Sequence, residues 1–478
     1  ISSVDPARPD VVVATSASCG RAEAGVAVAG ARRVAERWQR TPVAERAAVL
    51  FRAAEWLRAR RAEVAALEVF EAAKPWAEAD ADVCEAIDFC EYYARAMLAL
   101  DGGAQSGDNV QSPPGERNRL TYQGKGVVAV IAPWNFPLAI PCGMTVAALV
   151  AGNAVLLKPA EQTPAIAYRL VEALEAGGLP PGVLSYLPGV GEEVGAALVE
   201  HPDVDVVVFT GSRPVGLAIN AAAAVPQPGQ RSVKRVVAEM GGKNALVIDS
   251  DADLDVAVPV AIQSAFGYSG QKCSACSRLV VLDPVYDQVV ERLVGAAAQL
   301  HIGHPAHRGT ELGPLIDDDA HKRVTRYAEL AFREGRVRVA RDDVPGAGFF
   351  VGPVVVEGLD PSTSRVAREE IFGPVLAVFR AETFDHALVL ANDTDFALTA
   401  GVISRSPANI LRATHQLRAG NVYLNRSTTG AVVGRQPFGG YGMSGVGSKA
   451  GGPDYLLQFL DPRTVTENTL RQGFAPEG

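Results

Sequence analysis

Three scarcities narrow the setting of this chain before any motif is read. Long hydrophobic runs are missing. The most apolar stretch, residues 142–157, is broken by Gly143, Gly152 and Asn153 and falls short of the ~20 residues a bilayer requires, so no membrane span is expected. Basic excess is missing too: 45 Lys and Arg against 54 Asp and Glu leave a net charge of −9, which argues against a nucleic-acid partner, since that partner wants a basic face. Cysteine is scarce. Six thiols (Cys19, Cys84, Cys90, Cys142, Cys273 and Cys276) in 478 residues do not make a disulfide framework, and a reducing cytoplasmic setting is the expectation. Residues 1–30 lack the basic segment and apolar core of a secretion signal. The first residue is Ile1 rather than Met, so a trimmed chain or one part of a longer polypeptide is expected.

What is present is a long chain of ordinary globular composition, long enough for two or three domains. Residues 22–100 read as successive amphipathic helices, with Ala27, Ala31, Val34, Ala35 and Trp38 on one face. Thr41-Pro42 opens the next helix. A further helix near 79–100 aligns Val83, Ile87, Cys90, Ala94, Met97 and Leu98, with Glu91, Tyr92, Tyr93 and Arg95 beside that stripe as a solvated face. Residues 101–118 are rich in Gly, Pro and Ser and read as a linker. Short apolar strands at 126–132, 154–157, 183–187, 204–209 and 235–239 then alternate with helical runs. That pattern predicts a parallel sheet covered on both faces, as in dinucleotide-binding domains. A second α/β alternation runs to about residue 425, followed by a glycine-dense segment over 428–452.

The chemistry centres on Gly270-Gln271-Lys272-Cys273-Ser274-Ala275-Cys276, a sharp turn between a helical run and a strand-like run. Glu239, 34 residues upstream, ends a strand and precedes Gly241-Gly242. A thiol and a carboxylate so placed suit a nucleophile and its base. From residue chemistry alone other readings stay open: a structural buried thiol, or a redox or zinc role for the Cys-x-x-Cys pair, although no second such pair exists. Pro133-Trp134-Asn135-Phe136-Pro137 makes a rigid turn around one Asn amide, either an oxyanion donor or a plain turn residue. Lys158 and Glu161 close a strand where open sheets bind ligands, and a carboxylate there favours NAD over NADP. Thr210-Gly211-Ser212 leads into a helix N-terminus suited to phosphate. Gly189-x-Gly191-x-x-x-Gly195 is a weak fingerprint, with one residue too many between its last two glycines.

Taken together these motifs resemble the aldehyde dehydrogenase superfamily. With Glu369-Glu370-Ile371-Phe372-Gly373-Pro374 they occur in that family's order and spacing: 23 residues from Asn135 to Lys158, 77 from Asn135 to Ser212, 34 from Glu239 to Cys273 and 97 from Cys273 to Glu370. The resemblance implies two Rossmann-like parallel α/β domains plus a small β oligomerisation element, with an NAD-binding domain over 1–106 and 125–239, a catalytic domain over 240–455, and a hairpin at 107–124 with a C-terminal strand in 456–478. It implies Cys273 as nucleophile, Asn135 with the Cys273 N–H as oxyanion hole, and Glu239 as the base for the deacylating water. Lys158, Glu161, Gly191, Gly211, Ser212, Glu370, Phe372 and the backbone of Trp134 would hold NAD. No metal is implied, and Cys276 would be a packed neighbour.

Within the superfamily, Gln271 to Arg278, Gln227 to Arg231, and Thr429 to Gly440 with the tail from Ser448 to Tyr455 resemble the dehydrogenases acting on L-glutamate γ-semialdehyde in proline degradation. That likeness implies Ser274, Gly430 and Ala431 as donors to the substrate α-carboxylate, Phe136 and Phe438 around its aliphatic chain, and Glu91 against its α-ammonium. It also implies a homodimer or larger homo-oligomer, and a proline dehydrogenase that is fused or channels to this chain. The chain starts late relative to the family, so its first hairpin is expected to be missing. The alternatives are another semialdehyde such as succinate semialdehyde, and a non-catalytic protein of the same fold.

Overall fold

A computed structural model describes residues 1–102 and 110–470. The chain opens on a hairpin of β1 (Ser2–Asp5) and β2 (Arg8–Thr15). Its turn is tied by the buried Asp5 carboxylate, which accepts from the Ala7 N–H at 2.9 Å and pairs with Arg8.

Four helices follow: α1 (Arg21–Gln39), α2 (Val43–Ala59), α3 (Arg61–Glu71) and α4 (Trp76–Gly102). The apolar spacing of α1 becomes a buried row of Ala31, Ala35 and Trp38, and that of α4 a row of Val83, Ile87, Cys90, Ala94 and Met97; Leu98 is left exposed. Tyr93 is not on a solvated face as expected. It is fully buried, stacked at 5.6 Å on Phe89 and 5.5 Å on Tyr455, and its hydroxyl accepts from the Gly451 N–H at 2.7 Å.

After the solvent-facing strand β3 (Glu116–Gly124), the first sheet is built from β4 (Val127–Ile131), β5 (Ala154–Lys158), β6 (Leu184–Tyr186), β7 (Val206–Thr210) and β8 (Arg235–Glu239), all parallel, in the order β8-β7-β4-β5-β6. Its strands are apolar throughout because alternate side chains enter two cores. Val128 and Val130 pack under α2, α4, α5 (Ala139–Val150) and α6 (Pro164–Ala176). Val127 and Ala129 pack under α1, α7 (Ala196–Glu200) and α8 (Arg213–Ala223). Chain order runs outward in both directions from β4, so a switch point lies between β4 and β7, where a ligand crevice forms at the carboxyl ends of the strands.

The second sheet holds β9 (Asn244–Ile248), β10 (Cys276–Leu282), β11 (Arg336–Ala340), β12 (Val354–Glu357) and β13 (Val375–Ala381); beyond the two-residue β14 (Phe396–Ala397) come β15 (Thr399–Ile403) and β16 (Asn421–Leu424). Their order is β11-β12-β13-β10-β9-β15-β16, parallel except at β11, and β16 is an open edge. Helix α9 (Leu254–Phe266) joins β9 to the turn before β10. In the glycine-dense segment, β17 (Tyr441–Gly442) pairs with β14, and β18 (Gly445–Val446) pairs antiparallel with β8, so this segment crosses back to the first sheet from within 240–455.

The expected hairpin over 107–124 is revised. Residues 107–109 lie outside the described residues, as do 471–478 of the expected C-terminal element. Residues 110–124 supply one strand, β3, whose partner is β19 (Leu460–Asn468), in an antiparallel ladder from Leu460 opposite Gly124 to Asn468 opposite Glu116. Among the described residues no helix is long and apolar enough to cross a membrane.

Candidate active site

The nucleophile loop is shaped by its backbone. Helix α9 ends at Phe266, and Tyr268, Ser269 and Gly270 then take φ of 53°, 55° and 70°. Gly270 has no substitute: a Cβ there would lie 2.5 Å from the Gly373 carbonyl oxygen. The two non-glycine residues each cost about 1–3 kcal/mol in this region. Buried hydrogen bonds hold them there, from the Tyr268 hydroxyl to the Ala72 carbonyl at 2.6 Å and from the Ser269 hydroxyl to the Gly313 carbonyl at 2.7 Å. Gln271, fully buried, donates to the Pro314 carbonyl and accepts from the Ile316 N–H.

Cys273 emerges from this turn with its carbonyl held by Asn244 Nδ2 at 2.7 Å. Its thiol is pushed up to about 12, chiefly by burial and further by the charges of Glu239 and Glu370, with the Ser274 N–H opposing. Cys276 is buried in β10, and its thiol donates to the Arg278 carbonyl at 3.4 Å. Asn135 follows β4, is buried, and gives one amide N–H to the Gln271 carbonyl at 3.0 Å, so the oxyanion-donor candidate is fastened to the nucleophile loop.

A cavity of about 100 Å³ opens beside the thiol. Cys273, Ser274, Glu239, Phe136, Phe438, Gly430 and Ala431 all line it, so seven sequence-selected residues from four separate segments converge there. Glu239 ends β8; burial raises its carboxyl to about 7 against the opposing Ala450 N–H and Lys449 charge, and its Oε1 has no hydrogen-bond partner among the described residues.

Glu91 does not reach this cavity. It sits on the outer side of α4, bonded to Arg58 at 3.1 Å and to Arg95. The carboxylate that does enter from α4 is Glu85, which sequence reasoning missed. Burial lifts it to about 8, with Asp82 adding and Lys74 opposing. Six residues on a helix are 600° of rotation, which puts Glu85 and Glu91 on different faces. The signal was there in principle: Glu85, Phe89 and Tyr93 follow at i, i+4 and i+8, and the first two are cavity walls.

A second cluster lies along the carboxyl ends of the first sheet. Lys158 donates to Glu161 Oε1 at 2.7 Å, and the Gly191 N–H donates to the same oxygen at 2.7 Å. Residues 191–195 form one π-helical turn, which absorbs the extra residue of the glycine fingerprint. Ser212 is the N-cap residue of α8, just after Gly211. Facing them, Glu370 accepts from the Gly242 N–H at 3.0 Å, and its carboxyl is raised to about 7 by burial. A Cβ on Gly241 would come within 2.0 Å of that carboxylate, so the backbone is bare where Glu370 lies. Phe372, at φ 59°, meets the Trp134 ring edge-on at 5.5 Å. Two carboxylates, a helix N-terminus and glycine-bare backbone fit the two riboses and the pyrophosphate of a dinucleotide.

With the geometry in place, comparison with known proteins is direct. A family profile described as "Aldehyde dehydrogenase family" matches residues 1–465. The 1-pyrroline-5-carboxylate dehydrogenase of Geobacillus thermodenitrificans is 51% identical over 467 residues, covering 98% of this chain and 90% of that protein. Its counterpart in Bacillus subtilis is 46% identical over the same coverage. A solved 1-pyrroline-5-carboxylate dehydrogenase from Thermus with bound NAD superposes with a TM-score of 0.95 at 43% identity, covering 98% of this chain and 90% of that one. Proline utilization A from Bdellovibrio bacteriovorus gives a TM-score of 0.96 at 48% identity; all of this chain is covered, and it spans 49% of that protein.

Proposed function

Because the chain belongs to the aldehyde dehydrogenase family, we propose that it oxidises L-glutamate γ-semialdehyde to L-glutamate in proline degradation, with NAD as hydride acceptor. The observation that carries the substrate choice is one cavity holding Cys273 together with the carboxylate of Glu85 and the Gly430–Ala431 backbone. An aldehyde bearing an α-amino acid head needs an anion for its ammonium and N–H donors for its carboxylate, both away from the thiol. Glu85 supplies the first; Gly430, Ala431 and Ser274 supply the second, and Phe136 and Phe438 flank the chain between.

At rest the thiol is protonated, and Glu239 is near half-ionised at neutral pH. When Glu239 takes the thiol proton its own charge disappears, which removes one of the causes holding the thiol up. The sulfur adds to the aldehyde carbon, and the oxyanion accepts from the second N–H of Asn135 and from the Cys273 N–H. Lys158, Glu161, Gly191, Gly211, Ser212, Glu370, Phe372 and Trp134 would hold NAD, which would supply the hydride acceptor as the oxyanion collapses to a thioester on Cys273. Glu239 releases the thiol proton to solvent and then removes one from water; the hydroxide adds to the thioester carbon, the C–S bond breaks to free the product acid, which ionises, and the departing thiolate takes its proton from Glu239.

The protruding ribbon of β3 and β19 is exposed along most of β19. A lone two-stranded ribbon is marginal in water. The open edge β16 of a second copy is the partner we assign to it, giving a homodimer or larger homo-oligomer. The six cysteines are free thiols, which supports a cytoplasmic location. A proline dehydrogenase, fused or docked, is the source of the substrate in this reading. Steady-state NADH formation with glutamate semialdehyde against succinate semialdehyde tests the assignment: a preference for the substrate lacking the ammonium overturns it.

A further inference from the structure

One cluster behind the active site is used by none of the steps above. Lys74 follows α3 and is completely buried, aimed inward by the left-handed conformation of Ala73, whose φ is 53°. Its ammonium donates to Asp82 Oδ2 at 3.1 Å and to the Asn135 carbonyl oxygen at 3.1 Å, and lies 3.8 Å from Glu68 Oε2. The same nitrogen sits 4.0 Å from the centre of the Phe136 ring and 5.2 Å from that of Tyr268. One cation thus touches the oxyanion-donor residue, a wall of the substrate cavity and the strained turn that carries the nucleophile.

Asp82 is itself pinned. Its other oxygen accepts at 3.0 Å from the N–H of Ala139, the first residue of α5, the helix that follows the Asn135 turn. Both ends of the segment 135–139 are therefore held by one ion pair, Lys74 at its start and Asp82 at its end. On the far side, Asn135 Nδ2 is held by Gln271. Burial pulls Lys74 toward the neutral form, but Asp82, Glu68 and Glu78 more than offset it and keep the ammonium charged.

We propose that Lys74 is a positioning residue for the reaction: by binding the Asn135 carbonyl and the Phe136 face it fixes the Asn135 amide at the oxyanion and the Phe136 wall against the substrate chain. This rests on the role assigned above to Asn135, and not on the identity of the aldehyde. Lys74 touches no reacting atom, so its effect on kcat must pass through Asn135, while its contact with Phe136 bears on KM for the aldehyde.

A double-mutant cycle tests that dependence. Asn135→Ala removes the donor, for which losses of about 10²-fold in kcat are typical. Lys74→Met keeps the length and loses the charge; the expected result is a fall in kcat of about tenfold to 10²-fold, an unchanged KM for NAD, and no further fall when it is added to Asn135→Ala. A merely structural lysine gives losses that multiply in the double variant, and that result overturns the proposal, as does wild-type kcat in Lys74→Met. If Lys74→Met does not fold, Asp82→Asn runs the same cycle, since it keeps shape and the acceptor for Ala139 but removes the negative charge that holds the Lys74 ammonium. A loss confined to the Asn135 background supports the proposal, and an equal loss in both backgrounds overturns it. The assay uses whichever aldehyde the wild-type enzyme oxidises, so an error in the substrate assignment appears in the wild-type comparison and an error about Lys74 appears in the cycle.

Discussion

Replacing Glu85 by Gln isolates the group that distinguishes an amino-acid semialdehyde from a plain one. The side chain keeps its volume in a cavity of about 100 Å³ and loses only its capacity for negative charge. A substrate ammonium left without its partner in such a site costs about 3 kcal/mol, which is roughly 10²-fold in kcat/KM. Succinate semialdehyde, with no ammonium, should change by less than about threefold. The pH dependence gives a second reading that does not depend on turnover. In the free protein the Glu85 carboxyl is raised to about 8, so below that pH it is mostly protonated and must lose its proton to pair with an ammonium. The inhibition constant of L-glutamate should therefore fall by up to ~10-fold per pH unit between pH 6 and 8 and flatten above, while that of glutarate does not follow this slope. In Glu85→Gln the slope for L-glutamate should vanish. If the variant weakens glutamate and glutarate equally, or keeps the slope, Glu85 is not the ammonium partner.

Three further outcomes follow from the same geometry. Cys273→Ala should form no NADH from any aldehyde while its affinity for NAD, measured by calorimetry, stays within about threefold of wild type. Glu239→Gln should release about one NADH per site and then stall; in the parent, the rate of thioester hydrolysis should rise with pH through about 7 as Glu239 ionises, and a rapid-quench series shows whether it does. Gly241→Ala places a methyl 2.0 Å from the Glu370 carboxylate, so KM for NAD should rise by at least about tenfold with little change in melting temperature; an unchanged KM removes Glu370 from the cofactor contacts.

How far the sequence led depended on whether a residue's task was local. The bounds of the helix Asp318–Glu334 are set locally, with Asp317 as its cap and Gly335 at its end. The strands of the first sheet were legible as continuous apolar runs bounded by glycine and proline, since a parallel strand buries both faces. Helix α5 was not, for the related reason that eleven of its twelve residues are buried and no polar face marks a period. The residues proposed as catalytic, Cys273, Glu239 and Asn135, were readable because each ends a strand or sits in a turn with a distinctive neighbour. Glu85 was not, because the second wall of its cavity comes from residues 430–438, about 350 positions away, and nothing along α4 announces which acid will meet it. Glu91, with Arg95 one turn on, looked equally plausible and is an ordinary surface pair. Residue 107 onward looked like a hairpin, yet the partner of β3 lies at the other end of the chain.

The buried acids of the site explain each other. Cys273, Glu239, Glu370 and Glu85 are all raised above their ordinary values by burial, and the charges of Glu239, Glu370 and Glu85 each add to the rise at the thiol. In an empty site, ionising any one makes the next harder, so the resting state is held near neutrality with its nucleophile protonated. A ligand bringing positive charge reverses that preference. Its field favours the ionised form of Glu85 beside the ammonium, and the thiol ionises as Glu239 takes its proton. That makes the raised thiol consistent with a catalytic role, because the pKa of an isolated site describes the resting state and not the loaded one.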